Sequence, residues 1–160
     1  MRGGLRILGI GSPHGDDQIG WRLVEEVGAL RPDLGATVLS HPLELLEDDL
    51  ACDTLIVVDA CRTGAPAGTV TERVWPWEAD PAAEGSTHGY GLTAALTLAE
   101  RLRRLPPEVR LFGVEAAGEA PLRGLSPELT VALPKLARRL RERLSEWERR
   151  AAAPVPISAR

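Results

Sequence analysis

The sequence predicts a three-layer α/β sandwich built on a mainly parallel sheet. Three observations carry this. Apolar segments of strand length alternate with segments of helical periodicity along most of the chain. Residues 54–59 (TLIVVD) are β-branched and apolar almost throughout, as a strand covered on both faces must be. The first strand runs into a glycine-rich turn and then a helix, the order of a βαβ unit.

Residues 5–11 (LRILGIG) are a compact apolar strand signal, closed by Gly11, Ser12 and Pro13. Asp16 or Asp17 then opens a helix, with Ile19, Leu23, Val24, Val27 and Leu30 expected on its buried face and Pro32 and Gly35 at its end. Residues 36–40 read as a second strand, 43–50 as a short helix, and 54–59 as the central strand. A turn at 63–68 (TGAPAG) leads into a short edge strand at 69–74. Residues 75–85 lack periodicity and hold Trp75, Pro76, Trp77 and Pro81, the composition of a long loop that carries binding function. His88 opens a helix through Arg103, with Leu92, Leu96, Leu98 and Leu102 among its apolar positions, and residues 109–114 (VRLFGV) form the last strand. Ser126 is an N-cap with Pro127 at the first helical position. Pro134 is expected to interrupt that helix, leaving a short turn and then a long helix. Leu133, Leu136, Leu140, Leu144 and Trp147 form its buried stripe, and six arginines from Arg138 to Arg150 its solvated face. Residues 1–150 thus make one domain and 151–160 a loose tail. Right-handed crossovers put the second strand outside the first and the third on its other side, so a crevice opens at the carboxyl ends of strands one and three.

Composition narrows the function. A chain of 160 residues, 44% hydrophobic and 26% charged, suits one soluble domain with an aliphatic core, since only six residues are aromatic. A net charge of −4 argues against nucleic acid or an anionic membrane as partner. Cys52 and Cys61 are too few for a disulfide framework and suit small apolar roles beside one buried strand. The short apolar run at 5–10 is no signal peptide, and no stretch reaches the ~20 apolar residues of a membrane span. A cytoplasmic monomer is expected.

Three features converge on the crevice. Asp16 and Asp17 follow strand one, Asp59 ends strand three, and His88 starts the helix after the long loop. An Asp before a helix is ordinarily an N-cap, an Asp at a strand end ordinarily bonds turn amides, and a His beside glycines is ordinarily a satisfied polar group. The functional case rests on their coincidence in space. Two carboxylates and an imidazole make a mixed O/N set suited to Zn²⁺, Ni²⁺ or Mn²⁺. A helix N-terminus also favours the neutral imidazole that a metal needs. His14 and His41 lie near the same edge, with surface placement expected for both. The run Gly9-x-Gly11-x-x-x-Gly15 has one residue too many for a dinucleotide fingerprint, and Ser40-His41 stand where its acidic ribose-binding residue belongs. There is no P-loop lysine and no nucleophile elbow.

The blocks Gly9-Ile10-Gly11-Ser12-Pro13-His14-Gly15-Asp16-Asp17-Gln18-Ile19-Gly20, Val57-Val58-Asp59-Ala60 and Ser86-Thr87-His88-Gly89-Tyr90-Gly91-Leu92 occur in the order and spacing of the hydrogenase maturation proteases. Gly64-Ala65-Pro66-Ala67-Gly68-Thr69 and Gly124-Leu125-Ser126-Pro127-Glu128 extend the resemblance to nearly the whole chain. It implies a phosphorylase/hydrolase-like α/β fold with a five-stranded mixed sheet, the strand at 69–74 being antiparallel. It implies an endopeptidase that removes the C-terminal extension of a nickel–iron hydrogenase large-subunit precursor once nickel is inserted. The family's nickel-site residues correspond to Asp17, Asp59 and His88, which serve as both metal and catalytic residues, and the nickel belongs to the substrate. The first loop is one residue shorter than the commoner form, so the choice between Asp16 and Asp17 stays open, and Ser40-His41-Pro42-Leu43 replace a Gly-Gly-Thr segment found in many members. The alternative is a non-catalytic chaperone that binds the metal or the precursor; a metal-dependent hydrolase of a small substrate is a third reading.

Overall fold

The strongest apolar segments of the chain become its central strands. The computed structural model describes residues 3–77, 87–118 and 124–153, with residues 87–90 described by backbone alone. β1 (Leu5–Ile10) pairs in parallel with β2 (Thr37–Leu39) and with β3 (Thr54–Cys61). β4 (Val70–Val74) runs antiparallel to β5 (Glu108–Glu115), which lies parallel to β3, so the order is β2-β1-β3-β5-β4. The five-stranded mixed sheet, its single antiparallel edge strand and the placing of β2 and β3 either side of β1 are as the sequence predicts.

Alternation along the strands assigns the two faces. Ile7, Ile56, Val58, Phe112 and Val114 pack with α1 (Ile19–Leu30) and α3 (Pro127–Ala152). Leu8, Ile10, Leu55, Val57 and Val109 pack with α2 (Thr87–Arg101). Ile19, Leu23, Val24 and Val27 are buried as expected, but Leu30 is 62% exposed: the chain leaves the helix at Arg31, and Leu34, in a 3₁₀ turn at Pro32–Leu34, enters the core instead. On α2 the buried face is Leu92, Ala95, Leu96 and Ala99, while Leu98 and Leu102 are exposed. Leu98 stands off that face and Leu102 beyond the helix end. The short helix expected at 43–50 is a 3₁₀ turn at Pro42–Leu46.

Pro134 does not interrupt α3, which runs unbroken from Pro127 to Ala152. Pro134 and Thr130, whose carbonyl loses its helical donor, both lie on the exposed face, so water reaches the freed oxygen. Buried Leu129, Leu133, Leu136, Ala137, Leu140, Leu144 and Trp147 hold the helix on both sides of the proline. At roughly 1.5–3 kcal/mol for each large side chain buried, they outweigh the ~3 kcal/mol that an interior proline costs. Among the arginines of this helix, Arg143 departs from a purely solvated role. It pairs with Glu72 at 2.6 Å, and its guanidinium lies 5.0 Å from the Trp147 ring, whose other neighbour is Arg110 at 5.4 Å.

Two glycines bring α1 onto the carboxyl ends of the strands. A Cβ on Gly20 would sit 2.6 Å from the Val58 carbonyl oxygen and closer still to that of Ile10, and one on Gly9 would sit 2.5 Å from the Gly20 oxygen. No larger residue lets the helix start cross β1 and β3 so closely. The turn before α1 is thereby held over the β1–β3 boundary.

Trp75 and Trp77 lie at the opposite, amino-terminal end of β5. The Trp75 amide donates to the Val109 carbonyl at 2.9 Å and its indole N–H to Glu100 at 3.3 Å, and the two rings meet edge-on at 5.0 Å. Both pack against the α2-side core. Residues 78–85 of the expected long loop, Ser86 after it, and 154–160 of the expected tail lie outside the described residues. Among the described residues, no helix is long and apolar enough to cross a membrane.

Candidate functional site

The turn that carries Asp16 and Asp17 is a 3₁₀ turn at Gly15–Gln18, with Gly15 at φ 53°. Gly11 lets it close, since a Cβ there would strike the Asp17 carbonyl oxygen. The Asp17 amide donates to the His14 carbonyl at 3.2 Å, and the Ser12 amide to the Asp17 carbonyl at 3.4 Å.

The two aspartates have different surroundings. Asp16 is buried and caps no helix of its own turn. Its carboxylate reaches across the sheet edge and accepts the Ala117 N–H at 2.8 Å and the Ser126 N–H at 2.6 Å. Ser126 is the N-cap of α3, its hydroxyl accepting the Leu129 N–H at 3.3 Å, so the Asp16 charge also sits at the positive end of a 26-residue helix. Asp16 is therefore a brace between the first turn, the end of β5 and the start of α3. Asp17 is half-buried, and its carboxylate acts electrostatically on Asp59.

Asp59 follows Val57 and Val58 and points to the α2 side, since Val58 and Ala60 face α1 and α3. It is 3% exposed, and its Oδ1 has no hydrogen-bond partner among the described residues. Burial, with the Asp17 carboxylate adding to it, pushes the Asp59 carboxyl well above the usual range; the Ala60 N–H opposes this weakly. A buried carboxyl oxygen left without a partner is costly and marks a functional candidate. The backbone of α2 begins at Thr87, so His88 stands in its first turn, one turn before buried Leu92 on the same side of the sheet as Asp59. The His88 side chain lies outside the described residues. Among the described residues, no group of three His, Cys, Asp or Glu side chains is assembled for a metal.

His14 and His41 are exposed, as expected. His41 caps its own 3₁₀ turn, its Nδ1 accepting the Leu43 N–H at 3.1 Å. Cys52 is buried in the α2-side core, in the small apolar role expected, whereas Cys61, half-buried at the end of β3, departs from that role and donates to the Glu115 carboxylate at 3.4 Å. Burial and a bond to Glu115 push the Cys61 thiol up to about 12.

Sequence reasoning missed Glu115. It ends β5 as Asp59 nearly ends β3, it is 3% exposed, and its carboxylate gathers the turn after β3. It accepts the Thr63 N–H at 2.7 Å, the Gly64 N–H at 3.0 Å and the Thr63 hydroxyl at 2.9 Å. The available signal was an acid closing an apolar strand (VRLFGVE), the same pattern that exposes Asp59 in TLIVVD.

No protein-family model matches this chain, and no curated protein does. Solved structures do. An endopeptidase from Escherichia coli, solved in solution, is 27% identical with a TM-score of 0.71, over 89% of this chain and 93% of its own. The hydrogenase maturating endopeptidase HybD from E. coli is 24% identical with a TM-score of 0.68, over 91% of this chain and 93% of its own. The NiFe hydrogenase maturation protease HycI from Thermococcus kodakarensis KOD1 is 21% identical with a TM-score of 0.68, over 89% and 92%. Over 91% of its length the chain has the fold of the hydrogenase maturation endopeptidases, in agreement with the resemblance of its motif blocks.

Proposed function

We propose that this chain is an endopeptidase that removes the C-terminal extension of a nickel–iron hydrogenase large-subunit precursor, recognising the nickel already held by that substrate. The observation that carries the reading is Asp59: a buried carboxylate whose Oδ1 has no partner among the described residues, beside Asp17, at the sheet edge where the helix bearing His88 begins. Two carboxylates and an imidazole leave coordination positions open for ligands that the substrate brings. Burial and the Asp17 charge disfavour ionisation of Asp59 until a cation arrives, so the pair is matched to a metal-loaded precursor and mismatched to an empty one. In this reading Asp17, Asp59 and His88 take the substrate's nickel and thereby fix the scissile bond beside the site. Asp16 keeps out of the chemistry and holds the turn that presents Asp17.

The test is mass spectrometry of a nickel-loaded large-subunit precursor incubated with the wild-type protein, with Asp59→Asn and with His88→Ala. The expected result is loss of the extension with the wild type and none with either variant. A stable complex with a precursor of unchanged mass would replace this reading by the chaperone one. Unchanged cleavage by both variants would refute the site.

A further inference from the structure

We propose that Glu115 is a positioning residue that keeps Asp59 available to the substrate's metal, an inference that rests on the proposed function above. An aspartate at a strand end ordinarily takes the N–H groups of the turn that follows. The turn after β3 offers such donors, and Glu115 takes them. The amides of Thr63 and Gly64, the Thr63 hydroxyl and the Cys61 thiol, the last at 3.4 Å, all donate to its carboxylate.

The register explains how it reaches them. Glu115 is the pairing partner of Cys61, and Gly113, two residues back on the same face, is the partner of Asp59. Glu115 thus stands two pairs, ~7 Å along the strand, beyond Asp59. Gly113 offers Asp59 no side chain, and a Cβ there would lie 3.4 Å from Cys61 Sγ and from the Thr71 oxygen. Glu115 is itself fixed: its amide donates to the Thr69 carbonyl and its carbonyl accepts the Gly68 N–H, both at 2.9 Å. Two residues further on, the Ala117 amide holds Asp16. The end of β5 therefore carries two braces, one that sets the turn of Asp17 and one that draws the next turn's donors away from Asp59. The consequence is a carboxylate, 3% exposed, whose Oδ1 has no partner among the described residues.

The test compares Glu115→Gln, which keeps one acceptor oxygen, with Glu115→Ala, which keeps none. Freed turn donors would engage Asp59 and compete with the metal. KM for the nickel-loaded precursor should then rise in that order, by roughly tenfold for alanine, with kcat within about twofold. A role limited to stability would lower the folded fraction, and with it kcat, at unchanged KM. A crystal structure of Glu115→Ala gives a readout independent of cleavage. The Thr63 and Gly64 amides both donate to Oε1, which glutamine keeps and alanine removes, so Glu115→Gln should hold both N–H groups, while in Glu115→Ala one of them should turn onto Asp59. Unchanged KM in Glu115→Ala, or a Glu115→Ala structure with neither turn amide on Asp59, overturns the proposal. If the wild type itself leaves the precursor uncut, the endopeptidase reading fails, and the crystal structure alone decides whether Glu115 holds the turn donors off Asp59.

Discussion

Neutralising Asp16 and neutralising Asp17 should have different consequences, although the residues are adjacent. Each oxygen of Asp16 accepts one backbone N–H, from Ala117 at 2.8 Å and from Ser126 at 2.6 Å. In Asp16→Asn one oxygen becomes an NH₂ that faces a backbone donor. One charge-assisted bond is lost and one shielded N–H is left unmet, a cost of about 2–3 kcal/mol. For a domain of this size each kcal/mol shifts Tm by about 2–4 °C, so Tm should fall by about 5–10 °C. Asp17→Asn removes a charge that pushes the Asp59 carboxyl up, and should lower Tm by less than Asp16→Asn does. Differential scanning calorimetry at neutral pH measures both, and precursor processing well below Tm gives the second axis. Asp17→Asn should abolish processing in a stable protein, and Asp16→Asn should retain part of it in a weakened one. An Asp16→Asn Tm within about 1 °C of wild type would refute the brace, as would equal losses of Tm in the two variants.

Gly20→Ala puts a Cβ 2.6 Å from the Val58 oxygen, against backbone on two strands, and should cost more than ~3 kcal/mol; a wild-type urea midpoint would contradict this. Pro134→Ala restores the helical bond to Thr130 and should stabilise by up to ~3 kcal/mol, read as a higher urea midpoint at unchanged slope. The raised Asp59 carboxyl contributes most to stability below the unfolded-state pKa of about 3.9, and this is lost as pH rises toward its folded value. Asp59→Asn should therefore gain Tm over the wild type as pH rises from about 4 to 7, and a difference independent of pH would contradict the raised value. With the Cys61 thiol at about 12, iodoacetamide at pH 8 should label it on the order of 10³-fold more slowly than a free cysteine. Labelling at the free-thiol rate would mean that the thiol is neither buried nor held by Glu115.

The fold was legible because its strands are short, apolar and separated by strong turn residues. Residues 5–10, 54–59 and 109–114 need both faces covered, and that demand alone implies parallel strands between helix layers. The errors came from reading residue type without tertiary context. Leu30, Leu98 and Leu102 look like core by composition, yet α2 buries alanines at 95 and 99 and leaves two of those leucines in water. Small residues on that face let the helix lie close to the sheet, and no propensity scale records the distance. Pro134 was misjudged for the same reason. Its local cost is real, but whether a helix bends around it depends on what the residues on either side bury.

The site divides along a physical line. The residues proposed to carry its chemistry were visible because charge at the end of an apolar strand is anomalous in the sequence itself, as at Asp59 and Asp17. The braces were not visible, because their partners are backbone amides far away in the chain: Ala117 and Ser126 for Asp16, Thr63 and Gly64 for Glu115. An amide has no identity in a sequence, so a carboxylate that binds amides and one that awaits a cation look alike until both are placed. Asp16, Asp59 and Glu115 are all acids buried at one sheet edge, at 7%, 3% and 3% exposure. Asp16 and Glu115 have two backbone N–H donors each, whereas the Oδ1 of Asp59 has no partner among the described residues. Among the described residues, that distribution of donors, more than the count of acids, is what sets Asp59 apart and supports the proposed role for it.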